Sequence, residues 1–179
     1  MSQLDELREG LPEAARDLKL NLAAVLTQPT PLSEAQRWGV AVATAIAARN
    51  HRLRDAVIAE AASHVPRDVL EDAQAAATVM GMNNVYYRFR HVIEKEIYGQ
   101  KPARLRMNRL AKPVASKLDF ELFAMAVSAV NHCEACVRSH ERVVIEGGLT
   151  DEQVHDAIRI AAVMSGVAVA LELGSLPAG

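Results

Sequence analysis

The chain has 179 residues, half of them apolar, enough to bury the core of one ordinary domain without disulfide staples. Its 20 Lys and Arg interleave with 22 Asp and Glu for a formal net charge of -2, which leaves no electrostatic footprint for nucleic acid. Residues 1–11 offer neither the basic start nor the apolar run of a secretory leader. The stretch Ile158 to Leu173 is Ala-rich and interrupted by Arg159 and Glu172, short of a membrane span. The expectation is a single domain over 1–179, cytoplasmic, with no nucleic-acid and no membrane partner.

Helix signals run from end to end, without a convincing strand, so the fold class expected is all-α. Pro12 opens a helical pattern through Leu18, Leu20, Leu22 and Val25. Ser33 and Gln36 form a capping box ahead of the apolar run Trp38 to Ala48. Pro66 starts the next helix, with Gly81 as a point where it ends or bends. The basic stretch Lys101 to Lys117 reads as a connection with one short helical turn, a solvated loop or subunit contact. Glu121 to Val130 is helical, Asn131-His132 is a break, and a further helix starts near Cys133 and ends before Gly147-Gly148. Thr150 and Gln153 make a second capping box, opening a helix to about Leu173.

The connection divides the chain into a first half over about 12–98 and a second over about 114–174. Asp72-Ala73, Ala77, Val79 and Met80 recur as Asp156-Ala157, Ala161, Val163 and Met164, 84 residues on (72 to 156). Gln36 to Val42 aligns with Glu121 to Val127 at an offset of 85 (36 to 121). This reads as an internal duplication in which Gln36, Ala48 and His51 stand where the second half has Glu121, Cys133 and Cys136.

The chain's two cysteines, Cys133 and Cys136, lie in the run Cys133-Glu134-Ala135-Cys136-Val137-Arg138-Ser139-His140. Three-residue spacing in a reducing compartment points to redox cycling or metal binding rather than a structural bridge. In the first turn of a helix, unpaired N–H groups and the dipole favour a thiolate. Cys133, Cys136 and His140 fall on one helix face, so the imidazole can take the Cys136 thiol proton directly or through water. Cys136 is then the nucleophile toward a peroxide O–O bond, and Cys133 resolves the sulfenic acid as a disulfide. Glu121, folded back by the turn, is either a proton relay to Cys133 or an ordinary first-turn carboxylate. His132 either adds positive field beside the thiols or caps a helix. Zinc is the rival use of C-x2-C-x3-H, with Glu121 or His132 as a fourth ligand, but no second ligand pair is present. His51, His64, His91 and His155 lack partners at informative spacing, and Met80, Met82, Met125 and Met164 read as packing.

The segment Glu121 to His140 resembles the active-site signature of the alkylhydroperoxidase D family. The runs Met80-Gly81-Met82-Asn83-Asn84-Val85-Tyr86-Tyr87-Arg88, Lys19-Leu20-Asn21-Leu22 and Leu105-Arg106-Met107-Asn108 resemble that family too. The cysteine signature alone is shared with the wider carboxymuconolactone decarboxylase-like superfamily. The resemblance implies an all-helical homotrimer that reduces organic hydroperoxides and recycles a peroxiredoxin, alkyl hydroperoxide reductase C. Electrons would arrive from dihydrolipoyl groups on a lipoylated 2-oxoacid dehydrogenase component, with no bound cofactor and no metal. By motif position Cys136 resembles the sulfenic-acid cysteine, Cys133 the proton donor and disulfide partner, and Glu121 and His140 the relay. Some members carry a His immediately before the second cysteine, where this chain has Ala135. A redox-sensing helical oligomeric binding protein without peroxide turnover is the alternative.

Overall fold

A computed structural model describes residues 1–173, so the expected end of the second half at 174 lies outside the described residues. Among these residues there are nine α-helices and no strand: α1 (Gln3–Glu9), α2 (Arg16–Thr27), α3 (Glu34–Ala47), α4 (His51–Ala61), α5 (Arg67–Ile93), α6 (Glu96–Gln100), α7 (Lys117–Val130), α8 (Glu134–Glu146) and α9 (Asp151–Leu171). Both expected capping boxes form, with Ser33 and Thr150 each accepting from the backbone N–H three residues on. A 3-10 turn, Asn108–Ala111, is the helical turn expected in the basic connection. Gly81 neither ends nor breaks α5, which runs on for twelve residues to Ile93. A mid-helix glycine costs only about 1 kcal/mol relative to alanine, and buried Met80, Asn83 and Asn84 beside it hold the helix in place.

At the centre lie α3 and α7. Each buries six or more consecutive residues, Trp38 to Ala45 in α3 and Leu122 to Ser128 in α7, the pattern of a helix surrounded on all sides. They cross so closely that a Cβ built on Gly39 would lie 2.1 Å from the Phe123 ring. Outside this pair, α5 packs on α7 and α9 packs on α3. By length and apolar composition alone α9 would pass for a membrane-spanning segment. The interruption expected at Glu172 falls at its C-cap, yet Ala157, Ile160, Ala161, Met164 and Val167 are buried, as in a core helix.

The two halves share helix order and caps. Ser33 and Ser116 cap α3 and α7, and Asn50 and Cys133 occupy the N-cap positions of α4 and α8. Arg49 and His132 both take left-handed conformations in the turns between. All three pairs are 83 residues apart (33 to 116, 49 to 132, 50 to 133), two fewer than the side-chain similarity suggested. The N-caps of α5 and α9, Pro66 and Thr150, are 84 residues apart (66 to 150). In the register of the upstream caps, Trp38, Asn50, Leu53 and Val57 stand where the second half has Glu121, Cys133, Cys136 and His140. Ala-rich helices align at several registers by composition, whereas caps allow one.

The halves are tied reciprocally. Asp72, fully buried, accepts from Arg109 Nη2 (2.9 Å) and from the Val114 and Ala115 N–H groups (2.9 and 2.8 Å), fixing the chain just before α7. Asp156 accepts from Thr30 Oγ1 (2.6 Å), just before α3. At the crossing itself Gln36 Nε2 donates to Asp119 Oδ1 (2.9 Å).

Candidate active site

The cysteines sit where α7 turns into α8. The Cys133 N–H donates to Ser128 O (3.0 Å) and the His132 N–H to Ala129 O (3.1 Å), with His132 at φ 56°. This is a Schellman turn with a histidine in the left-handed position usually held by glycine. It reverses the chain within three residues and makes Cys133 the N-cap of α8 and Cys136 the third residue of its first turn. In the matching turn of the first half Asn50 caps α4 by accepting from the Leu53 N–H (3.0 Å). At Cys133 a disulfide to Cys136 joins the same two positions covalently, with Cα atoms 5.3 Å apart. Both cysteines lie at the N-terminus of α8, where the unpaired N–H groups of the first turn and the helix dipole favour a thiolate once the bond is reduced.

Both cysteines are buried, Cys133 0% and Cys136 7% exposed, and they face different depressions. Cys136, His140, Ser139 and Ala135 line a cavity of about 340 Å³, closed by Met80, Asn83 and Tyr87 of α5 and by Met107 and Leu110 of the basic connection. His140 Nδ1 lies 2.6 Å from Glu121 Oε2, both side chains largely buried. An ionised carboxylate only accepts, so Nδ1 carries the hydrogen and Nε2 is left as the acceptor. The structure thus brings together Cys133, Cys136, Glu121 and His140, and the partner of Glu121 is the imidazole. The first-turn alternative for Glu121 fails on position, because α7 begins four residues earlier at Lys117.

His132 is exposed and lines a separate depression with His91, Glu134 and Arg138, to whose wall the buried Cys133 belongs. His91 Nε2 is 4.0 Å from Glu134, a placement beside the cysteine segment that its sequence position did not disclose. His64 stacks on Trp38 with ring centroids 4.5 Å apart. Among the described residues no group of three or more His, Cys, Asp and Glu is placed to hold a metal ion.

A carboxamide pair on α5 supports the site. Asn84 is buried and fully used: its Nδ2 donates to Ser128 Oγ (2.9 Å) and its Oδ1 accepts from Asn131 Nδ2 (2.9 Å). It pins the last turn of α7 and the residue before His132. Its neighbour Asn83 is also buried, but Oδ1 has no hydrogen-bond partner among the described residues.

Comparison with known proteins agrees with this geometry. The model of the carboxymuconolactone decarboxylase family matches residues 98–173, the part that carries the cysteines. Over 173 residues the chain is 69% identical to "Alkyl hydroperoxide reductase AhpD" of Anaeromyxobacter dehalogenans strain 2CP-C, covering 97% of this chain and 92% of that one. A protein of the same name from Solibacter usitatus is 51% identical over 98% of both chains, and one from Methylocella silvestris 43% identical over 98% of both. The chain belongs to the AhpD family.

Seen in the AhpD fold, the sequence runs that carried the resemblance acquire a physical meaning. Met80, Asn83 and Tyr87 come from one of them and Met107 from another, and together they wall the cavity in front of Cys136. The basic connection is solvated along most of its length, with Lys101, Arg104, Arg106, Lys112 and Lys117 exposed, while Arg109 is anchored on Asp72 and Leu110 packs on the core and lines the cavity. Sequence reasoning set Met80 aside as packing and gave no role to Asn83, Tyr87 or Leu110. Their signal was the i, i+3, i+7 spacing of Met80, Asn83 and Tyr87, which puts them on one helix face.

Proposed function

We propose that the chain is an alkyl hydroperoxide reductase working through an ordered thiol pair. The observation that carries this is the cavity: it opens on Cys136 and His140 while Cys133, disulfide-linked behind them, is sealed from it. His140 Nε2 takes the Cys136 thiol proton, and Glu121 holds the resulting imidazolium. The Cys136 thiolate attacks the terminal oxygen of R–O–O–H. An S–O bond forms, the O–O bond breaks, and the leaving alkoxide takes the proton back as R–OH. Cys133 then attacks the sulfenic sulfur, water leaves, and the disulfide seen here results.

A dithiol must restore the pair. The reductant we assign is a dihydrolipoyl group carried by a 2-oxoacid dehydrogenase component, used as an external substrate. One of its thiols attacks Cys136, the sulfur that borders the cavity, releasing Cys133. Its second thiol closes the lipoyl disulfide and frees Cys136. Recycling the peroxiredoxin alkyl hydroperoxide reductase C draws on the same dithiol, and we assign that role to a cytoplasmic homotrimer. The names of the relatives and the thiol geometry support this reading. Ala135 contributes only a methyl group to the cavity wall, so the proton work falls to His140.

A coupled assay with lipoamide, its NADH-dependent dehydrogenase and cumene hydroperoxide tests the proposal. NADH oxidation should require this protein and vanish in Cys136→Ser. Slow stoichiometric oxidation without turnover would instead mark a redox sensor.

A further inference from the structure

We propose that Asn83 is the residue that binds the peroxide group of the substrate, an inference that rests on the peroxidase reading above. Asn83 is 4% exposed, and its Oδ1 is buried without any donor among the described residues. Leaving a buried carbonyl-type oxygen without a protein partner costs free energy that a protein ordinarily avoids. The next residue shows the contrast, for both ends of the Asn84 carboxamide are used inside the fold. The unused amide is in the wall of the cavity that holds Cys136 and His140, one turn along α5 from Met80 and one turn before Tyr87. Every other contribution to that wall from α5 and the connection is apolar or aromatic: Met80, Tyr87, Met107 and Leu110. A hydroperoxide with an apolar R group has the complementary pattern, a hydrocarbon body and a single O–H donor.

Rotation about the last side-chain bond of Asn83 turns the amide between the wall and the cavity. Its oxygen accepts the hydrogen bond from the terminal O–H of R–O–O–H. That fixes which of the two peroxide oxygens faces the Cys136 thiolate. The alkyl group lies against Met107 and Leu110, and the inner oxygen, which leaves as alkoxide, receives its proton from the His140 imidazolium. The step is balanced as before: one S–O bond is made, one O–O bond is broken, and the sulfur gives up two electrons. Asn83 exchanges no proton and acts by binding and orienting.

The two half-reactions separate this role from a structural one. Reduced protein is mixed with cumene hydroperoxide and quenched at intervals, and the appearance of the Cys133–Cys136 disulfide is followed by mass spectrometry. Separately, the oxidised protein is reduced with dihydrolipoamide, a reaction in which no peroxide is bound. Asn83→Leu keeps the volume and removes the hydrogen-bonding atoms, and Asn83→Ala serves as the second variant. Both should slow oxidation by roughly 10- to 100-fold while disulfide reduction keeps the wild-type rate. The Asn83→Leu melting temperature should be equal to or above that of the wild type, because an unpaired polar atom has been removed. Equal oxidation rates in wild type and Asn83→Leu would overturn the assignment, and so would parallel slowing of both half-reactions. A wild-type protein that cumene hydroperoxide does not oxidise would instead sink the peroxidase reading on which it rests.

Discussion

Cys136, His140 and Glu121 form a chain in which each group prepares the next: thiol, imidazole, carboxylate. The 2.6 Å contact between Glu121 and His140 fixes the ring and its tautomer, so the two should fail differently. His140→Gln removes the proton acceptor and should lower peroxide kcat/KM by about 100-fold or more. Glu121→Gln keeps a hydrogen-bonding side chain but loses the charge, and should cost roughly 10-fold. Steady-state kinetics on the two variants would show the order, and a larger loss in Glu121→Gln would contradict it. The CxxC spacing and His140 were legible in the sequence because they lie on one helix within two turns. The Glu121 partner was not, since 19 residues and a left-handed turn separate it from His140. Asn83 and Asn84 look alike as letters and are both buried, and only their hydrogen-bond partners tell them apart.

Helix caps and crossings decide where those side chains arrive. His132 stands in a left-handed conformation that costs a non-glycine residue roughly 1 kcal/mol. His132→Gly should therefore raise stability by up to about 1 kcal/mol in urea unfolding, and a clear loss would show that the imidazole is needed for more than the turn. At the α3–α7 crossing Gly39→Ala would drive a methyl group into the Phe123 ring. We expect a loss of about 1–3 kcal/mol, again read from urea denaturation; an unchanged midpoint would contradict the close approach. The sequence disclosed the capping boxes at Ser33 and Thr150 and the Gly147-Gly148 stop, each a local signal. Side-chain similarity and the caps give upstream registers two residues apart, 85 and 83, because small apolar side chains repeat too freely to fix one, whereas Ser33 and Ser116 are single cap positions. Gly81 does not end α5, because the roughly 1 kcal/mol a mid-helix glycine costs is outweighed by the burial of Met80, Asn83 and Asn84 beside it.

Across the whole molecule two buried or half-buried carboxylates hold the halves together, Asp72 before α7 and Asp156 before α3. The Thr30 hydroxyl, followed by the Arg159 guanidinium, holds the Asp156 carboxyl below its ordinary value of 3.8. A carboxylate depressed in the folded state stabilises the protein above the unfolded value, and that stability is lost as pH falls through the folded one. Below about pH 4 the wild type should therefore lose stability faster than Asp156→Asn, as thermal melts across pH 2–6 would reveal; parallel curves would remove Asp156 from the acid response. The site depends on this scaffold, because α5 supplies the cavity wall, the connection closes it, and the α7–α8 turn presents the sulfurs. The central claim is the order of the two sulfurs, the cavity-lining Cys136 attacking and Cys133 resolving. It is tested most directly by treating Cys133→Ser with one equivalent of cumene hydroperoxide in the presence of dimedone and mapping the adduct by mass spectrometry. We predict a dimedone adduct on Cys136, and none on Cys133 when Cys136→Ser is treated in the same way. An unmodified Cys136 together with a labelled Cys133 would contradict the account.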